Sequence, residues 1–189
     1  MNTTLLFVEL LVTGLQSSVW VFILLITVYG YGWLQSLDFQ KISDWDTLLT
    51  VFFLSFSYTL GIIMDRVADM VFSKWNKSIG KKIIPSSNRP LSAMRFELGK
   101  ENEYLNNQFE YTRSRMRIAR ASSVNFGLIT ILALIFIVVQ IHPSTEAQKW
   151  AYIFITLIVG GLLTGLSVYA WRELTVTYYE LIKSNYKTK

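Results

Sequence analysis

The sequence predicts an all-α polytopic membrane protein: four transmembrane helices, with a cytoplasmic helical hairpin between spans 2 and 3. Three observations predict it. Four apolar runs, roughly 10–34, 47–64, 121–141 and 150–170, are each long enough for the ~20 helical residues that cross a ~30 Å hydrocarbon core. The last three carry no charged residue, and the first has only Glu9 at its edge. Between the second and third lies a polar stretch, 65–120, with twelve Lys/Arg against six Asp/Glu; this surplus of six exceeds the whole chain's net charge of +5. Lys/Arg-rich loops stay on the cytoplasmic side. A soluble domain with 52% apolar residues would instead interleave polar side chains at helical spacing.

The chain therefore divides into spans 1 and 2 (1–64), the cytoplasmic hairpin (65–120), spans 3 and 4 (121–170) and a cytoplasmic tail (171–189). At the start, Asn2, Thr3 or Thr4 can cap a helix. No basic n-region or cleavage site precedes the apolar run, and Glu9 interrupts it, so this is a retained anchor rather than a signal peptide. The run reaches Leu34, longer than one perpendicular span needs. Either the helix is tilted or an interfacial helix precedes the span. Tyr31 and Trp33 suit the far interface. At ~100° per residue, Glu9, Thr13, Gln16, Trp20 and Thr27 share one face. An ionisable side chain facing lipid is costly, so this stripe lines either a lumen or a helix–helix seam.

Residues 35–46 carry three Asp against one Lys, and 142–149 balance Glu146 with Lys149; both suit the outer side. In span 2, Asp65 and Asp69 are one turn apart on the face that also holds Gly61, where the helix leaves the membrane. Apolar spacing through Val67, Met70, Val71, Trp75 and Ile79 continues that helix outward, until Gly80, Pro85 and Pro90 break it. A second pattern runs from Leu91 through Phe109 and Ile118 into span 3 without a proline. The arms are unequal, so the longer one must bend, break or pack on itself.

Arg113, Arg117 and Arg120 cluster on one face before span 3. In an antiparallel hairpin they reach the depth of Asp65 and Asp69. That predicts an ion-pair network; the alternative is an anion site for phosphate headgroups or a nucleotide. The acidic pair alone could hold a cation or pass a proton. In span 4, Gly160, Gly161, Thr164 and Gly165 form a small-residue face of the kind that lets helices approach closely in lipid, here predicted as a self-association seam. The tail, with four Lys/Arg against two Glu, returns to the inside, so both termini are cytoplasmic.

The function classes narrow by what the chain lacks. It has no cysteine and a single histidine, His142, beside Pro143, which argues against thiolate and His-cluster metal sites and against catalytic triads. Phosphate-binding Gly-rich loops, HExxH and GxSxG are missing. No catalytic, cofactor-binding or metal residue is assigned, and no enzyme is predicted. The basic balance follows from loop placement, and no interleaved aromatic pattern suggests nucleic acid.

In span count and loop placement, but not in any residue motif, the chain resembles the small four-span membrane subunits of some bacterial signalling and antiphage systems. That resemblance covers span count and loop placement only; a bacterial inner-membrane location is expected, and the large inside loop beside small outer loops points to a soluble partner. The expected function is an oligomeric, non-enzymatic sensor or scaffold in lipid, engaging a soluble cytoplasmic protein through the hairpin. The alternative is a homo-oligomeric ion channel or pore, lined by span 1, whose Glu9 ring would favour cations.

Overall fold

The structure, a computed structural model, describes residues 3–32, 45–85, 91–141 and 145–187. These form five helices: α1 (Thr3–Tyr29), α2 (Asp46–Ile83), α3 (Leu91–Glu101), α4 (Glu103–Gln140) and α5 (Glu146–Lys187). All but α3 are long and apolar enough to cross a membrane. The acidic loop at 35–44, Trp33, Pro90, His142 and Pro143 lie outside the described residues.

α1 is one uninterrupted helix of 27 residues, about 40 Å at ~1.5 Å per residue. It has no break between an interfacial piece and a span. It stops at Gly30, whose φ of +73° is a left-handed conformation that glycine adopts without a Cβ clash. α2 and α4 have 38 residues each and α5 has 42. At about 57–63 Å they are roughly twice a hydrocarbon core. Each therefore combines a charge-free half with a polar half.

Gly80, expected to break α2, lies inside it and is buried. A Cβ there would come within 2.9 Å of Leu91 and 3.1 Å of the Tyr179 ring, so the missing side chain serves packing. The helix ends instead at Ile83, because Ile84 precedes Pro85 and is driven out of the α region, to φ −125° and ψ 72°. The long arm breaks at Asn102, which is extended and whose side-chain oxygen accepts from the Tyr104 and Leu105 amides as an N-cap. α3 packs along the start of α4, with an Arg95–Glu110 ion pair and Gly99 against Asn106. Residues 171–187 continue α5 as helix, with Trp171, Tyr179 and Ile182 buried.

Two cores result. Met64, Ala68 and Ala121 are buried where α1, α2 and α4 meet, with Trp20, Val67 and Leu128 packed around them. Met94, Leu98, Phe109, Tyr179 and Ile182 form the core of the polar end, where α2, α3, α4 and α5 converge. α5 leans on α4 and meets α2 through Phe72–Trp171, ring centroids 4.5 Å apart. Along its charge-free half α5 exposes Ile155, Ile158, Leu162 and Leu166, the surface expected of a helix facing hydrocarbon.

Candidate functional site

The polar stripe of α1 faces protein. Asn125 of α4 is fully buried and organises the contact. Its amide nitrogen donates to the Thr13 carbonyl at 3.1 Å, and its oxygen accepts from Ser17 Oγ at 3.0 Å and Trp20 Nε1 at 3.1 Å. Ser122 Oγ donates to Gln16 Oε1 at 2.9 Å. At the far end of the seam, Gln140 Nε2 donates to the Thr27 carbonyl at 2.8 Å. Polar side chains hold helices together in lipid, because separating them would leave donors and acceptors with no partner. Glu9, Thr13, Gln16, Trp20 and Thr27 thus all lie along the α1–α4 seam.

α1 meets α2 on another face. Gly14 and Ser18 oppose Ser57 and Gly61 so closely that a Cβ on Gly14 would fall 1.6 Å from the Ser57 carbonyl oxygen. One on Gly61 would fall 1.9 Å from the Leu10 carbonyl oxygen. The Ser18 and Ser57 hydroxyls share a hydrogen bond at 3.0 Å. Only backbone without side chains can cross at that distance.

Where the charge-free halves end, the carboxylates and guanidiniums pair by depth. Arg120 bridges α4 to α2, with Nη2 3.1 Å from Asp65 and Nη1 2.5 Å from Asp69. Its Nε is buried without a hydrogen-bond partner. Arg117 instead reaches α1, with Nη1 3.8 Å from the buried carboxylate of Glu9, and Arg113 lies 3.8 Å from Glu110 on its own helix. The three arginines therefore serve three different partners; only Arg120 meets the Asp65/Asp69 pair.

Asp65, Asp69 and the three arginines border a cavity of about 410 Å³ between α2, α3, α4 and α5. Arg66, Arg95, Arg113, Arg117 and Arg120 line it, and among the described residues Asp65 and Asp69 are the carboxylates on its wall. Asn76, Ser92, Tyr178 and Tyr179 add polar groups, and Leu91 and Met116 apolar ones. Burial raises the Tyr178 hydroxyl above the ordinary phenol range, a push that Arg95 and Arg113 partly oppose and Glu110 supports. Burial likewise raises Tyr179, whose hydroxyl donates to Asn76 Oδ1 at 3.2 Å. Both phenols are therefore proton-bearing donors at neutral pH. Among the described residues, no group of three or more His, Cys, Asp or Glu is placed to hold a metal.

Of the span 4 run, Gly160 faces α4, where a Cβ would lie 2.0 Å from Thr130 Oγ1. Gly161 and Gly165 point away, with nothing within 4 Å, and Thr164 is half-buried. Sequence reasoning missed Asn125, Gly14 and the contribution of α3 and α5 to the cavity. Two of these had a signal. Asn125 is the one Asn in the 121–141 run, and Gly14/Ser18 and Ser57/Gly61 are both small-residue pairs at a spacing of four. Comparison with family models, curated proteins and solved structures finds no match for this chain.

Proposed function

We propose that the chain is a non-enzymatic sensor or scaffold of a bacterial inner membrane. Its polar end projects into the cytoplasm and engages a soluble protein. One observation carries this reading: α2, α4 and α5 run unbroken from their charge-free halves into the polar end, where they share one core with α3. A shift of the spans against one another is then delivered directly to that core. The positive surplus of 65–120 supports the cytoplasmic placement. The outward-facing Gly161 and Gly165 support a homo-oligomer joined through α5. The burial of Glu9 and Thr13 against α4 favours the scaffold over a pore lined by α1.

The test uses the absence of native cysteine. A single cysteine replacing the exposed Phe96 or Tyr104 should react with an impermeant maleimide in inside-out vesicles and not in intact cells. Photo-crosslinkers at the same positions should capture one discrete soluble protein, and that capture should change when Gly14→Ala disturbs the spans. Planar-bilayer recording of the purified chain should be silent. Steady conductance whose selectivity changes in Glu9→Gln would replace this reading with the pore.

A further inference from the structure

The cavity at the polar end has far more hydrogen-bond donors than acceptors. Five arginines line it, each carrying five N–H groups. Facing them are Asp65 and Asp69 on the wall, with Glu110 and Glu9 reaching Arg95, Arg113 and Arg117 from behind. The positive charge is in surplus even when all four acids are counted. Much of the donor capacity is unused. Arg113 and Arg117 stand 3.8 Å from their acids, beyond hydrogen-bond range. Arg66 has no ion pair among the described residues, and the Arg120 Nε is orphaned. The Tyr178 hydroxyl, kept protonated, adds a further donor beside them. An ordinary topology anchor needs no shared cleft, whereas here five arginines line one.

From this geometry we propose that the cavity binds a phosphate ester. A tetrahedral dianion offers many acceptor oxygens around one centre, and guanidinium forks match it bidentately. The volume of about 410 Å³ lies in the range of small-molecule sites and exceeds what a bare phosphate fills, leaving room for an organic substituent against Leu91 and Met116. Asp65 and Asp69 hold Arg120 in place rather than competing for the ligand, because two of its nitrogens are turned toward them. The site lies where the charge-free runs of α2 and α4 end, the depth of lipid headgroups, so the ester belongs either to a phospholipid or to a free phosphorylated metabolite. Arg117 joins this cavity to Glu9, so an occupied site is in direct contact with the α1–α4 seam.

The experiment measures unfolding of the full chain at fixed ionic strength, in two arms. In maltoside micelles, pyrophosphate and AMP are titrated, with chloride as the control. In nanodiscs, phosphatidylcholine alone is compared with phosphatidylcholine carrying phosphatidic acid. Saturable stabilisation in the first arm identifies a free phosphorylated compound; stabilisation only by phosphatidic acid identifies a lipid. Arg66→Gln and Arg113→Gln, neither of which carries a close ion pair, should each weaken the effect about tenfold, the worth of one charge-assisted contact. Arg172→Gln, outside the cavity, should leave it unchanged. Absence of saturable stabilisation in both arms overturns the proposal, as does an equal loss in Arg172→Gln, which would mark a diffuse charge effect.

Discussion

Replacing Gly14 with alanine tests the tightest approach at any of the described glycines. Its new methyl would sit 1.6 Å from the Ser57 carbonyl oxygen and 2.5 Å from the carbonyl carbon. An ordinary C···O approach is ~3.3 Å, so α1 and α2 must part by about 1.7 Å. The obstacle is helix backbone, which no rotamer change can move aside. Parting stretches the Ser18–Ser57 hydrogen bond of 3.0 Å and loosens the packing along both helices. Overpacking costs ~1–3 kcal/mol, and an interhelical hydrogen bond in lipid is worth ~0.6–1.7 kcal/mol. Alanine returns ~1 kcal/mol of helix propensity. The net loss is on the order of 1–3 kcal/mol, read as a lower midpoint in an SDS titration of maltoside micelles. Gly61→Ala, whose methyl meets the Leu10 carbonyl at 1.9 Å, should behave alike. The double variant should cost less than the two singles together, since the helices part only once. Gly161→Ala and Gly165→Ala meet nothing within 4 Å and should be neutral or slightly stabilising in monodisperse micelles. A Gly14→Ala chain as stable as Gly161→Ala would refute the close crossing.

Three further outcomes follow from the same contacts. Asn125→Leu removes the group that satisfies Trp20 Nε1 and should cost ~1–3 kcal/mol, with partial recovery in Asn125→Ser; an unchanged midpoint would dissolve the seam. Asp65→Asn should destabilise more than Asp69→Asn, because Asp65 is 23% exposed and Asp69 59%, where solvent screens the pair. Both losses should shrink as ionic strength rises, and the reverse order would contradict the depth assigned here. Tyr178 and Tyr179 are held protonated by burial, so the unfolded chain releases their protons first as pH passes ~10. Stability should then be level below that pH and fall above it, and Tyr178→Phe should flatten the fall. A slope unchanged by Tyr178→Phe would show that other groups cause it.

The four candidate spans were legible in the sequence because a bilayer imposes a condition on contiguous residues. About twenty in a row must lack charge, and 47–64, 121–141 and 150–170 do. The continuation of α2 past Asp65 was legible for a similar reason, since apolar spacing through Val67, Val71 and Ile79 persists beyond the charge-free run. The stripe on α1 was legible as a face, but its partner was not. A helical wheel shows that Glu9 and Thr13 point the same way; it does not say whether water or another helix lies opposite.

Tertiary structure alone decided which faces meet. In water, burial would separate the apolar face from the polar one, but hydrocarbon is as apolar as leucine, and hydropathy cannot tell a lipid-facing residue from a packed one. Small residues occur both at Gly14/Ser57/Gly61 and at Gly160/Gly161/Gly165, with equal claim on composition. Only shape, worked out in three dimensions, assigns the first set to a backbone crossing and leaves Gly161 and Gly165 on the outside. The same holds at the polar end. Arg66, Arg95, Arg120 and Tyr178 are separated by up to 112 positions, and the cavity exists because α5 continues as helix past residue 170 and docks against α2, α3 and α4. Local sequence sets which segments are apolar enough to cross a membrane, because solvation acts residue by residue. What the crossing helices build together rests on close contact between distant segments, a property of the folded molecule.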